Sequence, residues 1–231
     1  RIREGAYMVK TIVTTELMKK IADRNGIECF DVYTGFKWIA AIMRELEGKR
    51  QYIGGGEESY GFLVEDFVRD KDAVSACAEI AAWAKDNGKT MYELLQDIYV
   101  EYGFSKEKGI SVVRKGKSGA EEIEAMMKNF REHPITEIAG SKVILAKDYA
   151  TLVAHDFVAG EKYTLDMPTT SNVLQYFTED GTKVSVRPSG TEPKIKFYIE
   201  VSGELKSRAD YDNAVAAAEE KIKAVSASLG V

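Results

Sequence analysis

The pattern of apolar and polar residues changes near residue 105 of this chain. Before that point, short β-branched runs alternate with stretches whose apolar side chains recur every three to four residues, and the second pattern is typical of amphipathic helices. The predicted order is strand, helix, strand, helix, strand, helix and helix, over residues 7–14, 14–26, 27–33, 35–48, 50–55, 72–88 and 90–103. Strands that alternate with helices predict an α/β domain with a mostly parallel sheet.

After residue 105 the strands follow one another more closely. We predict a strand at residues 109–116, a helix that opens at Ser118, strands at 141–149, 172–177, 182–187 and 195–201, and a C-terminal helix over 211–229. Asp180-Gly181 predicts a hairpin turn, and residues 155–171 are predicted to be a surface loop. The order predicts an α+β domain with helices on one face of an antiparallel sheet. We therefore expect two domains, residues 1–105 and 106–231.

Composition narrows the function classes. The 231 residues are 45% hydrophobic and 30% charged with a net charge of −5, and residues 106–231 contain 18 Lys and Arg against 19 Asp and Glu. This balance argues against nucleic acid or an anionic membrane as a partner, and no apolar run has transmembrane length. Cys29 and Cys77 are too few for a disulfide framework, so we expect two core thiols in a cytoplasmic protein. The opening RIREGAYMVK predicts that the sequence begins within a longer protein.

The stretch SVRPSGTEPKIKFYIE, residues 185–200, places short polar residues between two strands. Alternation puts Arg187 and Lys196 on the polar face of the predicted hairpin. Ser189, Gly190 and Thr191 between them offer backbone N–H groups and two hydroxyls. A guanidinium, a second cation and short donors suit a phosphate dianion. The same residue types also fit a hairpin turn with a solvated arginine and lysine, and this alternative stays open at this point.

The stretch YIGGGEESYGFL, residues 52–63, is rich in glycine and acids. Its spacing is not that of a dinucleotide or P-loop motif, and Glu57 and Glu58 would repel phosphate. Carboxylates with Ser59 on such a loop suit the hydroxyls of a sugar. A metal site is a second interpretation, and a strand-end turn with solvated acids is the simplest one. From these residues alone, the simplest one is favoured.

Three cations lie near these motifs in the sequence. Lys37 falls in the first turn of a predicted helix, where a cation opposes the helix dipole, so we expect an anion nearby. Arg69 and Lys71 precede the next helix. The simplest interpretation of Arg69 and Lys71 is that their side chains are solvated. These two residues are therefore the weakest of the site candidates.

Five motifs follow one another over nearly the whole chain: KTIVTT, TGFKWI, GGGEESYGFL, VRDKDA and VRPSGTEPKIKFYIE. In this order they resemble the α-D-phosphohexomutase superfamily, and most closely its phosphoglucomutase and phosphomannomutase branch. The resemblance implies that this chain consists of the third domain of the superfamily, without its first helix, followed by the fourth domain. The outline of that fourth domain is similar to the TATA-binding-protein fold.

The resemblance also implies a function. A four-domain enzyme of this type interconverts hexose 1-phosphate and hexose 6-phosphate through a bisphosphorylated sugar, with Mg²⁺ and glucose 1,6-bisphosphate as cofactors. Glu57, Ser59 and Lys37 would contact the sugar, and Gly56 would shape the turn. Arg187, Ser189, Gly190, Thr191 and Lys196 would bind the phosphate that is not transferred. Relative to the GEMSGH of dual-specificity members, the differences Glu58, Tyr60 and Gly61 favour glucose phosphate over mannose phosphate.

Two motifs of the superfamily do not occur in this sequence. One is the T-x-S-H-N-P-like segment of the first domain that carries the phosphoserine, and the other is the D-G-D-x-D-R-like metal loop of the second. We therefore expect no catalytic or metal-binding residue in this chain, N-terminal domains of the same protein as its partner, and no mutase activity by the chain alone. The alternatives are a stand-alone phosphosugar-binding module, half of a phosphopentomutase, a nucleic-acid-binding domain or a scaffold.

Overall fold

The computed structural model describes residues 2–114, 116–190 and 192–231. The chain forms two compact units. The first comprises the chain up to Phe104 together with Glu204–Ala209, and the second comprises Ser105–Gly203 together with Asp210–Val231. Residues 204–209, which were predicted to lie in the second domain, are grouped with the first unit. One of their contacts with it is the hydrogen bond from Arg208 to Asp97 at 2.6 Å, which joins residues more than a hundred positions apart in sequence.

The first unit is built on a mostly parallel sheet, which confirms the prediction. Strands β1, β2 and β3 are parallel in the order β2-β1-β3, and β4 joins β3 in the antiparallel sense. Strand β4 was not predicted because two residues are too few to show a period. The elements in chain order are β1 Tyr7–Thr11, α1 Leu17–Arg24, β2 Glu28–Val32, α2 Phe36–Leu46, β3 Tyr52–Gly56, β4 Phe62–Leu63, α3 Ala73–Asn87 and α4 Met91–Tyr102.

Helix α2 closes the core of this unit, whereas α3 buries none of its residues. Ile39 and Met43 of α2 are buried against Val9 of β1 and Tyr52 of β3. Helix α3 packs on β4 and α4 but contains no buried residue. Trp83, an aromatic residue that a helical period would place in a core, is 41% exposed, and Cys77 is exposed as well, so the prediction of a core thiol is wrong there.

The second unit is built on an antiparallel sheet. Its strand order is β5-β12-β11-β10-β7-β8-β9, and β6 pairs with β7. The predicted hairpin at Asp180-Gly181 joins β10 and β11, where Gly181 has φ +80°. The elements are β5 Phe104–Val113, α5 Gly116–Glu132, β6 Glu137–Ile138, β7 Ser141–Asp148, β8 Val153–Asp156, β9 Glu161–Thr164, β10 Leu174–Thr178, β11 Lys183–Pro188, β12 Lys194–Gly203 and α6 Tyr211–Ser228.

The predicted surface loop at residues 155–171 is wrong in its first part. Strands β8 and β9 form a hairpin there. The Asp156 carboxylate accepts from the N–H groups of Val158 and Ala159, both at 2.9 Å, and Gly160 takes φ +71°. A side chain that closes its own turn in this way leaves little trace in the hydrophobic pattern.

Helices α5 and α6 both pack on β12, and the ring of Phe130 meets that of Phe197 edge to face at 6.4 Å. On the opposite face, Gln175 accepts from Tyr149 Oη at 2.7 Å and donates to Ser185 Oγ at 2.8 Å. This arrangement confirms the α+β prediction, and it separates an apolar face from a hydrogen-bonded polar one.

Candidate functional site

The turn between β3 and β4 is the first candidate region, and we call residues Glu57–Gly61 the acidic turn. The Glu57 N–H donates to the Gly61 carbonyl at 2.7 Å and closes the turn. The Glu57 carboxylate accepts from the Gly35 N–H, also at 2.7 Å, immediately before α2. A carboxylate at this position is stabilised by the helix dipole.

The glycines before the acidic turn are required by packing. A Cβ on Gly55 would lie 2.3 Å from the Val9 carbonyl oxygen, and one on Gly56 would lie 2.6 Å from that of Gly61. Both oxygens belong to neighbouring backbone that cannot move aside without breaking the sheet or the turn. The glycine run therefore allows β3 to approach β1 and β4 closely, and it needs no ligand to explain it.

Glu58 is held by a buried threonine that was not among the predicted site residues. Thr11, fully buried at the end of β1, donates from Oγ1 to Glu58 Oε2 at 3.2 Å. The hydroxyl of Thr14 lies 2.8 Å from the same Oγ1 and completes its hydrogen bonding as the donor. Both threonines belong to KTIVTT, but a hydroxyl in a β-branched run gives no sign in the sequence of its distant partner.

Lys10, the neighbour of Thr11, is also fully buried. Its ammonium lies 2.7 Å from Asp31 Oδ1 and 3.1 Å from Glu16 Oε1. Burial by itself lowers the pKa of Lys10, but the two carboxylates outweigh it and hold that pKa above its usual range. A buried ammonium with two carboxylate partners fixes the end of β1 that carries Thr11.

The other predicted residues of this unit lie at different distances from the acidic turn. Lys71 lies beside it, because its Cδ is 2.9 Å from the point where a Gly61 Cβ would be. Lys37 is next to the Gly35 N–H that binds Glu57, and its ammonium lies 5.0 Å from the Trp38 ring centre. Ser59 is exposed. Arg69 forms an ion pair with Glu47.

The loop between β11 and β12 is the second candidate region, and we call residues 188–193 the polar loop. Arg187 and Lys196 are register partners on the two strands that lead into it, so their side chains leave the same face of the sheet. The Ser189 N–H donates to the Lys194 carbonyl at 2.8 Å. Thr191, the remaining predicted residue, lies outside the described residues.

The cations around the polar loop differ in whether they have a carboxylate partner. Lys194 forms an ion pair with Glu192, and the hydrogen bond from Lys194 lowers the pKa of that carboxyl. Across the residues the structure describes, Arg187 has no carboxylate within ion-pair distance, although it is partly buried. A guanidinium that is partly withdrawn from water without a counter-ion favours a bound anion.

A cavity of about 730 Å³ opens beside the polar loop, between the loop and α5. It is lined by Ser189 and Gly190 on the loop side and by Ile123 and Met127 on the helix side. A Cβ placed on Gly190 would meet no described atom within 4 Å. The loop is therefore open to a small molecule at its glycine.

The two candidate regions are chemically distinct. The acidic turn brings carboxylates to one end of the parallel sheet. The polar loop brings short donors to one end of the antiparallel sheet, next to Arg187, which has no carboxylate partner among the described residues. In the described ranges, no group of three or more His, Cys, Asp or Glu is placed to hold a metal ion. In the same ranges, no helix has the length and apolarity needed to cross a membrane.

Comparison with known proteins gives these regions a context. Residues 1–102 match the sequence profile of the phosphoglucomutase/phosphomannomutase alpha/beta/alpha domain III, and residues 107–218 match that of the phosphoglucomutase/phosphomannomutase C-terminal domain. The phosphoglucomutase of Staphylococcus aureus is 41% identical over 202 residues, which are 83% of this chain and 35% of that protein. The phosphoglucomutase of Staphylococcus haemolyticus is 36% identical over 85% of this chain and 36% of its own length.

The fold has matches among solved structures. The open form of the exocytosis-sensitive phosphoprotein pp63/parafusin, a phosphoglucomutase from Paramecium, has a TM-score of 0.63 and 20% identity over 98% of this chain and 37% of its own. The chain thus spans about a third of the length of the relatives it matches. Because the two profiles together account for nearly the whole sequence, the chain belongs to the phosphoglucomutase/phosphomannomutase family, of which it contains domain III and the C-terminal domain.

Proposed function

We propose that this chain is the substrate-binding part of a hexose-phosphate mutase. In this proposal the polar loop binds the phosphate that is not transferred, through Arg187, Lys196, Ser189, Gly190 and Thr191. The acidic turn binds the sugar hydroxyls through Glu57 and Ser59, with Gly56 shaping the turn and Lys37 beside it. The observation that carries the proposal is the partly buried Arg187, which has no carboxylate partner in the described ranges and faces the same side as Lys196.

The chemistry of phosphoryl transfer would come from N-terminal domains of the same protein. The full-length relatives are called phosphoglucomutases, and the reaction we propose is the exchange between hexose 1-phosphate and hexose 6-phosphate through glucose 1,6-bisphosphate. Mg²⁺ is proposed as the cofactor of that full-length enzyme. The described residues do not fit a Mg²⁺ site, since no three acids converge, so we assign no step through the metal to this chain.

The role of this chain in such a reaction is positioning. Phosphoryl transfer depends on orientation and on neutralisation of charge more than on covalent chemistry by the protein. Carboxylates that are already anchored by Gly35 N–H and Thr11 Oγ1 would accept from sugar hydroxyls with little further loss of side-chain freedom. We also propose a cytoplasmic protein, because both cysteines are free and a reducing compartment keeps thiols in that form.

The test is titration calorimetry of the chain with glucose 6-phosphate, glucose 1-phosphate and inorganic phosphate. Arg187→Ala is expected to weaken all three by at least about tenfold, because a charge-assisted hydrogen-bond pair contributes roughly 1.5–3 kcal/mol. Lys128→Ala is the matched control, since it removes an exposed cation of α5 that pairs only with Glu132 at 3.6 Å in the described ranges. Equal affinities for wild type and Arg187→Ala would refute the assignment of the polar loop.

A further inference from the structure

Tyr60 in the acidic turn has an unusual backbone conformation. Its φ is +67°, in the left-handed region that a residue with a Cβ enters at a steric cost and that glycine and asparagine enter readily. Its side chain is also fully exposed, at 101% of the reference area. The tyrosine therefore pays a conformational cost at a position where it adds nothing to the packing of the described fold.

Residue 60 lies inside a tight turn that is closed by its own backbone. The Glu57 N–H bond to the Gly61 carbonyl closes the chain over these residues at 2.7 Å. On either side, Gly56 could not bear a Cβ without meeting the Gly61 carbonyl, and Gly61 could not bear one without displacing Lys71. Tyr60 therefore takes the left-handed conformation within a closed turn whose flanking positions are both glycine. Strained positions of this kind cluster at ligand clamps.

The chemistry around the ring suggests what it contacts. The two residues that precede Ser59 and Tyr60 are Glu57 and Glu58, whose carboxylates are fixed by Gly35 and Thr11. A hexose has hydroxyl groups at its edge and a face of C–H groups. Anchored carboxylates suit the edge, and the exposed face of an aromatic ring suits the C–H groups, because the ring face carries partial negative charge.

We propose that the Tyr60 ring stacks on the C–H face of the hexose whose hydroxyls the acidic turn binds, and that it contributes to the selection of sugar phosphate over phosphate alone. This inference rests on the proposed function. It assigns the ring, and not the phenolic hydroxyl, as the binding group. Tyr60→Phe should therefore behave like the wild type.

The experiment compares Tyr60→Asn, Tyr60→Gly and Tyr60→Phe by calorimetric titration with glucose 6-phosphate and with inorganic phosphate, together with their thermal unfolding midpoints. Loss of the ring in the asparagine and glycine variants is expected to weaken glucose 6-phosphate about threefold to tenfold and to leave inorganic phosphate unchanged. Asparagine, which tolerates this conformation, should also raise the unfolding midpoint by a few degrees. A raised midpoint shows that weaker binding does not come from unfolding.

The outcomes separate this inference from the proposed function. If Tyr60→Asn binds glucose 6-phosphate as the wild type does while Arg187→Ala does not, the role of the ring is refuted and the proposed function stands. If Tyr60→Asn weakens both probes equally, the ring does not act on the sugar, and the inference is again refuted. If the wild type binds neither probe, both the inference and the proposed function are refuted.

Discussion

The glycines of the two candidate regions are present for different physical reasons. Gly55 and Gly56 lie under backbone oxygens at 2.3 and 2.6 Å from their would-be Cβ atoms, so the fold itself requires them. Gly190 has open space around it in the described part of the chain, and its φ is not in the left-handed region. The fold does not require a glycine there, whereas a ligand that approaches the backbone closely would.

Gly190→Ala is therefore expected to unfold at the same denaturant concentration as the wild type and to bind inorganic phosphate at least about threefold more weakly, since the added methyl group would occupy part of the proposed site. Gly109→Ala is the matched control, because Gly109 of β5 is equally open and lies outside the polar loop. Urea unfolding and calorimetric titration measure the two effects. A Gly190→Ala variant with unchanged phosphate affinity would argue against ligand approach at this residue.

At the scale of elements, the hairpin between β10 and β11 depends on one carboxylate. Asp180 accepts from the hydroxyls of Thr178 and Thr182 at 2.6 and 2.9 Å, and its second oxygen lies 2.6 Å from Lys221 Nζ of α6. Partial burial by itself raises the pKa of Asp180, but the hydrogen bonds from Lys221 and the two threonines outweigh it and lower that pKa well below its usual range. The carboxylate thus ties the hairpin to α6.

Asp180→Asn is expected to lower the free energy of unfolding by about 1–2 kcal/mol at pH 7, because charge-assisted hydrogen bonds are lost at a partly exposed site. A carboxyl whose pKa is lower in the folded state stabilises the fold above its unfolded pKa of about 4, and this contribution is lost as the pH falls through the folded value. The difference between variant and wild type should shrink below pH 4. Urea unfolding at pH 7, 5 and 3 measures this difference in unfolding free energy, and Asp166→Asn, at an exposed aspartate, is the control. A difference that stays constant with pH would contradict the role assigned to the Asp180 carboxylate.

At the scale of the whole molecule, we propose that this chain binds the substrate and that other domains carry out phosphoryl transfer, and this division can be tested. The chain alone is expected not to convert glucose 1-phosphate to glucose 6-phosphate, even with Mg²⁺ and glucose 1,6-bisphosphate, because the sequence contains neither the phosphoserine motif nor the metal loop. Phosphorus NMR of the purified chain measures this directly. Turnover by the pure chain, abolished in Arg187→Ala, would overturn the division of roles.

The long, strongly periodic elements could be predicted from sequence. Strand β12 alternates Ile195, Phe197 and Ile199 toward the core, and α6 buries Ala218, Ile222 and Val225, because a buried face imposes its own period on the residues that form it. Strands β8 and β9 were missed for the opposite reason. The residues of β9 are all exposed, so they carry no alternation, and their hairpin depends on Asp156 and on pairing with β7.

The sequence by itself determined the two fold classes, the family and the residue types of both loops, because each of these is written in local period or in contiguous motifs. Only the tertiary structure decided the partners of the acids. Glu57 meets Gly35, which is 22 residues away, and Glu58 meets Thr11, which is 47 residues away. Both contacts exist because β3 pairs with β1 and because α2 returns over them. Which residues of neighbouring parallel strands meet depends on packing between segments that are distant in sequence. The local pattern of apolar and polar residues therefore cannot predict it.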